Sequence, residues 1–152
     1  NVQRWLKDSD GCLQEALGWD QGPLSFKGGK RWPGQEGIAI YAKGSGAESM
    51  STTFHVKGAK PGRIRLRITG RDDDGKGACR ILIAVNGRKI HEGPSGCPES
   101  QWGEMTCVVS GADLVEGENR IEITNLEPKG VLGMPPWFNL LRLKLEAGPE
   151  SK

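Results

Sequence analysis

Alternation of apolar and polar residues dominates the chain from residue 38 onward, and this two-residue period predicts β-strands. The clearest case is 63–69, where Ile64, Leu66 and Ile68 are predicted to face inward while three arginines face outward. The segment 138–146 alternates leucines, Leu141 among them, with charged residues in the same way. Eight strands are predicted in all, at 38–42, 52–56, 63–69, 81–85, 88–92, 105–110, 120–125 and 138–146.

Turn residues connect these strands. Asn86-Gly87 favours a two-residue hairpin, because both residues tolerate the positive φ of a type I′ turn. The only helix predicted is short, at 12–17, with Gly18 ending it. We expect one domain over 1–147, with 1–37 poorly defined by the pattern and 148–152 forming a flexible tail.

Short strands separated by regular turns predict an all-β fold, a two-sheet antiparallel β-sandwich. Strands that alternate in direction place every second loop at the same end. If the Asn86-Gly87 turn marks the lower end, the long loops meet at the upper end, at 43–49, 70–77, 93–103 and 125–137. Binding residues are usually carried by loops on a rigid scaffold, so we expect the site there.

Composition and charge exclude several classes of function. The 152 residues include 21 Lys and Arg and 19 Asp and Glu, a net charge of +2, whereas nucleic-acid-binding domains are usually strongly basic. No apolar run approaches the length of about 18 residues that a membrane span needs. Asn1 begins the sequence and no signal peptide is present, so we expect either a removed leader or a domain cut from a longer protein.

Four cysteines lack the spacing of a zinc site. The wide spacing of the cysteines and their even number favour disulfides in an oxidising compartment, although four thiols in a cytosolic domain are the alternative. Counting back through the two-residue turn sets Cys79 opposite Pro94 and within reach of Cys97. We therefore predict a Cys79–Cys97 disulfide, with Cys12–Cys107 as the remaining pair.

Three segments resemble a known family. They are the stretch from the acidic loop 71–74 through 83–90 to 92–94, the stretch 114–126, and the closing strand 136–146. Together they are similar to a galactose-binding-like jelly roll over roughly 38–146. The resemblance implies a carbohydrate-binding module or an accessory domain of a polysaccharide-degrading enzyme. It also implies a secreted protein, linked to a catalytic domain, with a polysaccharide or oligosaccharide as its partner.

Five tryptophans accompany a single tyrosine. The apolar face of a sugar ring stacks well on a flat indole, and Trp102 and Trp137 both fall in upper loops. The alternative for both is core filling, because indoles are usually largely buried. Core filling is the preferred interpretation for most of Trp5, Trp19 and Trp32.

Polar residues near the same end are candidates for contacts with sugar hydroxyls. Asp72 and Asp73 lie in the acidic loop, and Asn125, Glu127 and Asn139 lie near the strand ends. A solvated turn is the alternative for the acidic loop. Carboxylate oxygens also bind calcium, but only part of a calcium-loop spacing is present, so calcium is possible and a metal site is otherwise undefined.

The outward arginines Arg63, Arg65 and Arg67 suggest either a surface for an acidic polysaccharide or a solvated face. We favour the solvated face, neutralised by Glu122 and Glu146 across the strands.

No constellation of catalytic residues is recognisable. Glycoside hydrolysis needs two carboxylates at a defined separation, and neither His55 nor His91 belongs to a nucleophile motif. The sequence thus predicts a non-catalytic carbohydrate-binding module, with Trp102 and Trp137 stacking on sugar and Asp72, Asp73, Asn125 and Glu127 selecting it. The alternative is an accessory sandwich that packs against a catalytic domain without binding sugar.

Overall fold

The computed structural model describes residues 25–56, 62–72 and 78–147, and the backbone of residues 6–7 and 13–14. Strands make up most of it, and the one helical turn in these residues is a 3-10 turn at Gly111–Asp113. The strands are β1 (Leu6–Lys7), β2 (Leu13–Gln14), β3 (Phe26–Gly28), β4 (Ile38–Tyr41), β5 (Ser49–Val56), β6 (Arg63–Asp72), β7 (Arg80–Val85), β8 (Arg88–Pro94), β9 (Gly103–Ser110), β10 (Gly117–Asn125) and β11 (Trp137–Ala147).

Two antiparallel sheets form a jelly-roll-like β-sandwich, which confirms the predicted fold. The five-stranded sheet has the order β3-β5-β10-β7-β8, and the four-stranded sheet has the order β4-β11-β6-β9. All eight predicted strands are present, as β4 to β11. Strands β4, β6, β8 and β10 end at one end of the sandwich, which we call the upper end.

The core fills the space between the sheets and follows the predicted alternation. Ile64, Leu66 and Ile68 of β6 are fully buried, as predicted, and they pack with residues of β7, β10 and β11. In β11 a bulge between Leu140 and Arg142 changes which residues face inward. Leu140 consequently joins the main core cluster, whereas Leu141, which the alternation grouped with the inward leucines, is buried but lies outside that cluster. An extra residue in one strand reverses the in-and-out order beyond it.

The Asn86-Gly87 hairpin forms as predicted, with φ of 53° and 81° at its two central residues. Val85 lies opposite Arg88, but a second bulge follows, between Ile83 and Ala84. Because of this bulge Arg80, not Cys79, lies opposite Pro94. The register on which the disulfide prediction rested is therefore wrong by one residue.

The disulfide prediction is also wrong for the cysteines that the structure describes. Cys79, Cys97 and Cys107 are buried thiols. Cys12, the fourth cysteine, lies outside the described residues. Burial raises the pKa of Cys97 from 9.0 to about 12 and raises the pKa of Cys107 as well. Both side chains belong to the apolar core, where an uncharged thiol behaves as a small apolar group.

The predicted helix at 12–17 conflicts with the structure at Leu13–Gln14, which forms β2 and pairs with β1. The rest of that prediction lies outside the described residues, as do Trp5, Trp19 and the predicted tail at 148–152. Strand β3 was also missed by the pattern. It is three residues long, and it pairs with β5 at the edge of the five-stranded sheet.

Two asparagines fix the lower end. The Asn119 side chain is fully buried; its Oδ1 accepts from the Val115 amide and from Asn86 Nδ2, and its Nδ2 donates to the carbonyls of Val115 and Gly117. Asn86 in turn accepts the amide of Arg120. These bonds join the hairpin turn to the start of β10.

Replacing Asn119 with alanine should lower the free energy of unfolding by about 2–3 kcal/mol, because buried backbone groups lose their partners. Denaturant unfolding measures the loss. Glu116→Ala, at the exposed last position of the same loop, directly before β10, should change the stability by less than about 0.5 kcal/mol. Equal stabilities for the two variants would contradict this role.

Stability should also depend on the Cys97 thiol at high pH. The unfolded chain loses this proton near pH 9.0, whereas the folded chain keeps it to about 12. Between these values the folded state binds more protons, so stability falls as pH rises. The free energy of unfolding of Cys97→Ala, measured from pH 8 to 11, should fall less steeply with pH than that of the parent. Parallel curves for the two proteins would show that the Cys97 thiol does not cause the fall.

Candidate functional site

Asp72 holds the upper loops together. Its side chain is only 1% exposed, and Oδ2 accepts the Cys79 amide at 2.6 Å and the Ser95 hydroxyl at 2.8 Å. The backbone N–H of Asp72 donates to the Pro98 carbonyl of the next loop, and the Asp72 carbonyl accepts the Ser100 N–H of the same loop. The carboxylate therefore faces inward at the end of β6, away from solvent. The predicted contact of Asp72 with a sugar hydroxyl does not agree with this geometry.

Beside Asp72 the strand order brings Arg71 and Trp102 together on the outer face of the four-stranded sheet. Gly70 of β6 pairs with Gly103 of β9, so the residues that follow and precede them are neighbours. The Arg71 guanidinium carbon lies 4.6 Å from the Trp102 ring centroid. This stacking fixes the plane of a half-buried indole.

Residues 34–37 complete a hollow next to this indole. Gly37 has a φ of +85°, and a Cβ there would lie 2.6 Å from the Leu140 carbonyl oxygen and 3.3 Å from the Trp102 ring. Only glycine fits this approach, which brings the loop onto the edge of the indole. The resulting hollow has a volume of about 390 Å³ and is lined by Gly34, Gln35, Glu36, Arg71 and Trp102. We call it the Trp102 hollow.

Trp137 belongs to a separate apolar cluster. Its ring centroid lies 5.0 Å from that of Tyr41, and Trp32 donates from Nε1 to the Tyr41 hydroxyl at 2.8 Å. Ala39 and Ala47 complete the cluster. Burial raises the pKa of Tyr41. The half-buried Trp137 and Trp32 thus cover the outer face of β4, much as the core-filling interpretation expects.

Asn125 and Glu127 form hydrogen bonds at the same corner of the sandwich, beside β4. Asn125 is buried, donates to the Ile40 carbonyl at 3.0 Å and accepts the Glu127 amide at 2.8 Å. The Glu127 carboxylate accepts the Arg80 amide at 2.9 Å. Asn139 is buried as well, opposite Arg71 in the register of β11 and β6.

The predicted residues therefore divide into groups. Asn125, Glu127 and Trp137 lie together beside β4, Asp72 lies beneath the loops, and Trp102 lies in the hollow. Asp73 lies outside the described residues. Sequence reasoning missed Arg71, Gln35 and Glu36. The outward position of Arg71 next to Asp72 was readable from the alternation, but the long-range contact of 34–36 carries no periodic signal.

A metal site is not formed by the residues that the structure describes, where no three His, Cys, Asp or Glu side chains cluster. Both donors to the Asp72 side chain, the Cys79 amide and the Ser95 hydroxyl, bind its Oδ2 atom, and Asp72 belongs to no such cluster in the described part of the chain. Calcium at Asp73 and Asp74 stays a prediction. Within the described residues, no helix has the length and apolar character that crossing a membrane requires.

The outward arginine row is a neutralised face, as predicted. Glu146 accepts from Arg65 at 3.3 Å and lies 3.2 Å from Arg67. Lys144 is 3.3 Å from the same carboxylate. Glu122, the other predicted partner, lies instead in the five-stranded sheet and pairs with Arg120 at 3.6 Å.

No protein-family model matches the sequence, and no curated protein matches it. Among solved structures, the chain is similar to a family 35 carbohydrate binding module from Clostridium thermocellum, with 17% identity and a TM-score of 0.46, over 80% of this chain and 86% of that chain. It is similar to the CBM36-1 domain of a multidomain xylanase from the hindgut metagenome of Trinervitermes trinervoides, with 15% identity, a TM-score of 0.47 and coverages of 87% and 91%. It is also similar to the Podospora anserina GH26-CBM35 beta-(1,4)-mannanase, with 15% identity and a TM-score of 0.46, over 91% of this chain and 28% of that chain.

Asp72→Ala should lower the free energy of unfolding by about 3 kcal/mol, on the scale of lost hydrogen bonds to a charged group. The matched control is Glu104→Ala, which removes an exposed carboxylate 3.9 Å from Arg67 and should cost less than about 1 kcal/mol. Denaturant unfolding compares the two. If Asp72→Ala is as stable as the control, the carboxylate does not hold the loops.

Proposed function

We propose that this chain is a non-catalytic carbohydrate-binding module that stacks a sugar ring on Trp102. The observation that carries the proposal is the Trp102 hollow, in which a half-buried indole of fixed orientation faces polar side chains. Its volume lies within the range of about 300–1,000 Å³ that is usual for small-ligand sites.

The indole supplies the apolar part of such a contact. One face of a pyranose ring exposes C–H groups, and stacking removes their area and that of the indole from water. Each neutral hydrogen bond to a hydroxyl only replaces a bond to water, so its net contribution is smaller. Affinity in the proposed site therefore depends mainly on Trp102.

Polar groups at the rim of the Trp102 hollow determine which sugar binds. The Gln35 amide donates and accepts, the Glu36 carboxylate accepts, and the Arg71 guanidinium donates. A site whose polar groups bond the hydroxyls of one sugar discriminates against an epimer that cannot form the same bonds. We assign Asp72, Asn125 and Glu127 to holding the loops. Direct contacts of Trp137 and Asp73 with the sugar stay predictions.

The upper carboxylates support a non-catalytic role. Asp72 is buried against donors and Glu127 accepts the Arg80 amide. Hydrolysis of a glycosidic bond needs two carboxylates placed on either side of it, and these two are engaged in the fold.

A binding module without catalysis acts by keeping an attached catalytic domain near its polysaccharide, which raises the effective concentration of substrate. We accordingly propose that the chain is part of a larger enzyme. Because the polysaccharide substrate of such an enzyme lies outside the cell, we propose that the enzyme is secreted.

One observation favours the accessory role as a second candidate. The loop between β10 and β11 exposes Val131, Leu132 and Met134, at 60%, 42% and 56%. Exposed apolar patches often mark contacts with another protein surface. This candidate predicts docking to the attached catalytic domain and no binding of sugar by the isolated chain.

Affinity electrophoresis through gels that contain xylan, galactomannan, β-glucan or pectin tests the proposal. The parent should be retarded by at least one of them, and Trp102→Ala should bind it about tenfold more weakly, on the scale of a buried aromatic anchor. Val108→Ala, an exposed apolar residue of β9 outside the hollow, is the control and should migrate like the parent.

Absence of retardation in all four gels would favour the accessory candidate. Equal retardation of Trp102→Ala and the parent, with both folded by thermal melting, would remove the Trp102 hollow as the site.

A further inference from the structure

The Asn86-Gly87 turn at the lower end carries a reactive pair of residues. In an Asn-Gly sequence the glycine nitrogen attacks the side-chain carbonyl carbon of the asparagine, and a glycine puts no side chain in the way. Asn86 is the only one of the five asparagines in the sequence that precedes a glycine. The other four precede valine, arginine or leucine, whose side chains hinder the attack. The turn is therefore the place in the sequence where deamidation is fastest, unless the fold prevents it.

The reaction balances with water as the co-reactant. A bond forms between the Gly87 nitrogen and Cγ of Asn86, the bond from Cγ to Nδ2 breaks, and the amide proton of Gly87 leaves with Nδ2 as ammonia. The cyclic imide that results takes up water at either of its carbonyl carbons, which gives aspartate or isoaspartate. In isoaspartate the main chain runs through the side-chain carbons and is longer by one carbon.

Three hydrogen bonds hold the Asn86 side chain against this reaction. Nδ2, the leaving group, donates to the Asp113 carbonyl and to Asn119 Oδ1, both at 2.8 Å. Oδ1 accepts the Arg120 amide at 2.9 Å, and the Asn86 backbone N–H donates to the Arg120 carbonyl at 2.8 Å. Cyclisation moves the carboxamide onto the Gly87 nitrogen and releases Nδ2, so it breaks these side-chain bonds.

Hydrogen bonds, and not burial, provide this protection. Asn86 and Gly87 are both exposed, and a Cβ added at Gly87 would meet no atom of the described residues within 4 Å. Water therefore reaches the turn, and a cyclic imide has room there. Asn119, by contrast, is fully buried and is itself fixed by bonds to Val115 and Gly117. The protection of Asn86 thus depends on a partner that is part of the folded interior.

We propose that Asn86 is a modification site whose reaction is controlled by the fold. The carboxamide is retained while the turn is bonded to Asn119 and to the start of β10. When the turn separates from β10, Asn86 converts to aspartate or isoaspartate at the rate of an unfolded chain. Local openings of this kind need less free energy than global unfolding, so the reaction reports on the lower end alone.

The product does not restore the network. A carboxylate at position 86 has no N–H to donate, so one of its oxygens would face the Asp113 carbonyl and Asn119 Oδ1, which are both acceptors. The extra carbon of isoaspartate lengthens a two-residue turn whose length sets the register of β7 and β8. A reversible opening therefore becomes a permanent loosening of the lower end, far from the Trp102 hollow at the upper end.

Asn119→Ala tests the inference, with Asp72→Ala as the matched control. Both variants lose buried hydrogen bonds and should lose similar global stability, but only Asn119→Ala removes an acceptor from Asn86 Nδ2. The folded proteins are incubated in mildly alkaline buffer, and peptide mapping by mass spectrometry follows the conversion of Asn86. Asn119→Ala should convert about tenfold faster than Asp72→Ala, the factor that corresponds to one hydrogen bond. The folded parent should convert at least about tenfold more slowly than the parent unfolded in urea.

Equal rates in the two variants would show that only global unfolding exposes Asn86 and would overturn local control by Asn119. Equal rates in the folded and unfolded parent would overturn the protection altogether. If Asn119→Ala does not fold, the urea dependence of the parent decides. Below the unfolding transition its conversion should respond to urea more weakly than global unfolding does, because a local opening exposes less surface. A rate that follows the global unfolding constant would contradict the inference.

The consequence of the modification is tested separately with Asn86→Asp. This variant should unfold at a lower urea concentration than the parent, because the carboxylate meets two acceptors. Asn86→Gly keeps a residue that accepts the positive φ of the turn and cannot deamidate, so it is the control for the change in mass. A midpoint of Asn86→Asp equal to that of the parent would show that the modification leaves the lower end intact and would overturn the permanent loosening.

Discussion

The buried carboxylate of Asp72 is the interaction on which the upper end of the sandwich depends. A carboxylate this far from water needs donors, and the Cys79 amide and Ser95 hydroxyl supply them. The bonds of its backbone to Pro98 and Ser100 bring the next loop to the end of β6. Trp102 follows that loop directly and reaches Arg71, the neighbour of Asp72. The position of the indole is therefore a consequence of where this carboxylate is buried.

The two outer faces of the sandwich have different chemistry because of what their strands carry. On the four-stranded sheet, Glu146 neutralises the arginine row, and loop 30–37 covers the upper corner, leaving the Trp102 hollow at its edge. On the five-stranded sheet, short hydroxyl residues of β5 lie between longer charged ones. One outer face thus carries a half-buried indole at its edge, and the other carries short hydroxyl residues between longer charged ones.

Local periodicity determined what the sequence could predict. The alternation in β6 gave its core residues correctly, and continued to its end it also places Asp72 inward, which the acidic composition of the loop obscured. The bulges in β8 and β11 carry no such signal, and each shifted a prediction, of the cysteine register and of Leu141. The approach of Gly37 to Trp102 depends on a contact between distant parts of the chain. The indole of the candidate site was predicted, but the side chains around it were not.

The proposed stacking of sugar on the Trp102 indole can be followed through the indole N–H signals of the tryptophans in a heteronuclear NMR titration. Each assigned tryptophan reports on its own surroundings, so the described Trp32, Trp102 and Trp137 are distinguished in one experiment. The probes are neutral hexasaccharides of β-1,4-linked xylose, mannose or glucose. We expect the Trp102 signal to shift in a saturable way with at least one of these hexasaccharides, while the signal of Trp32, whose N–H donates to Tyr41, moves little. Saturable shifts elsewhere with an unchanged Trp102 signal would contradict it.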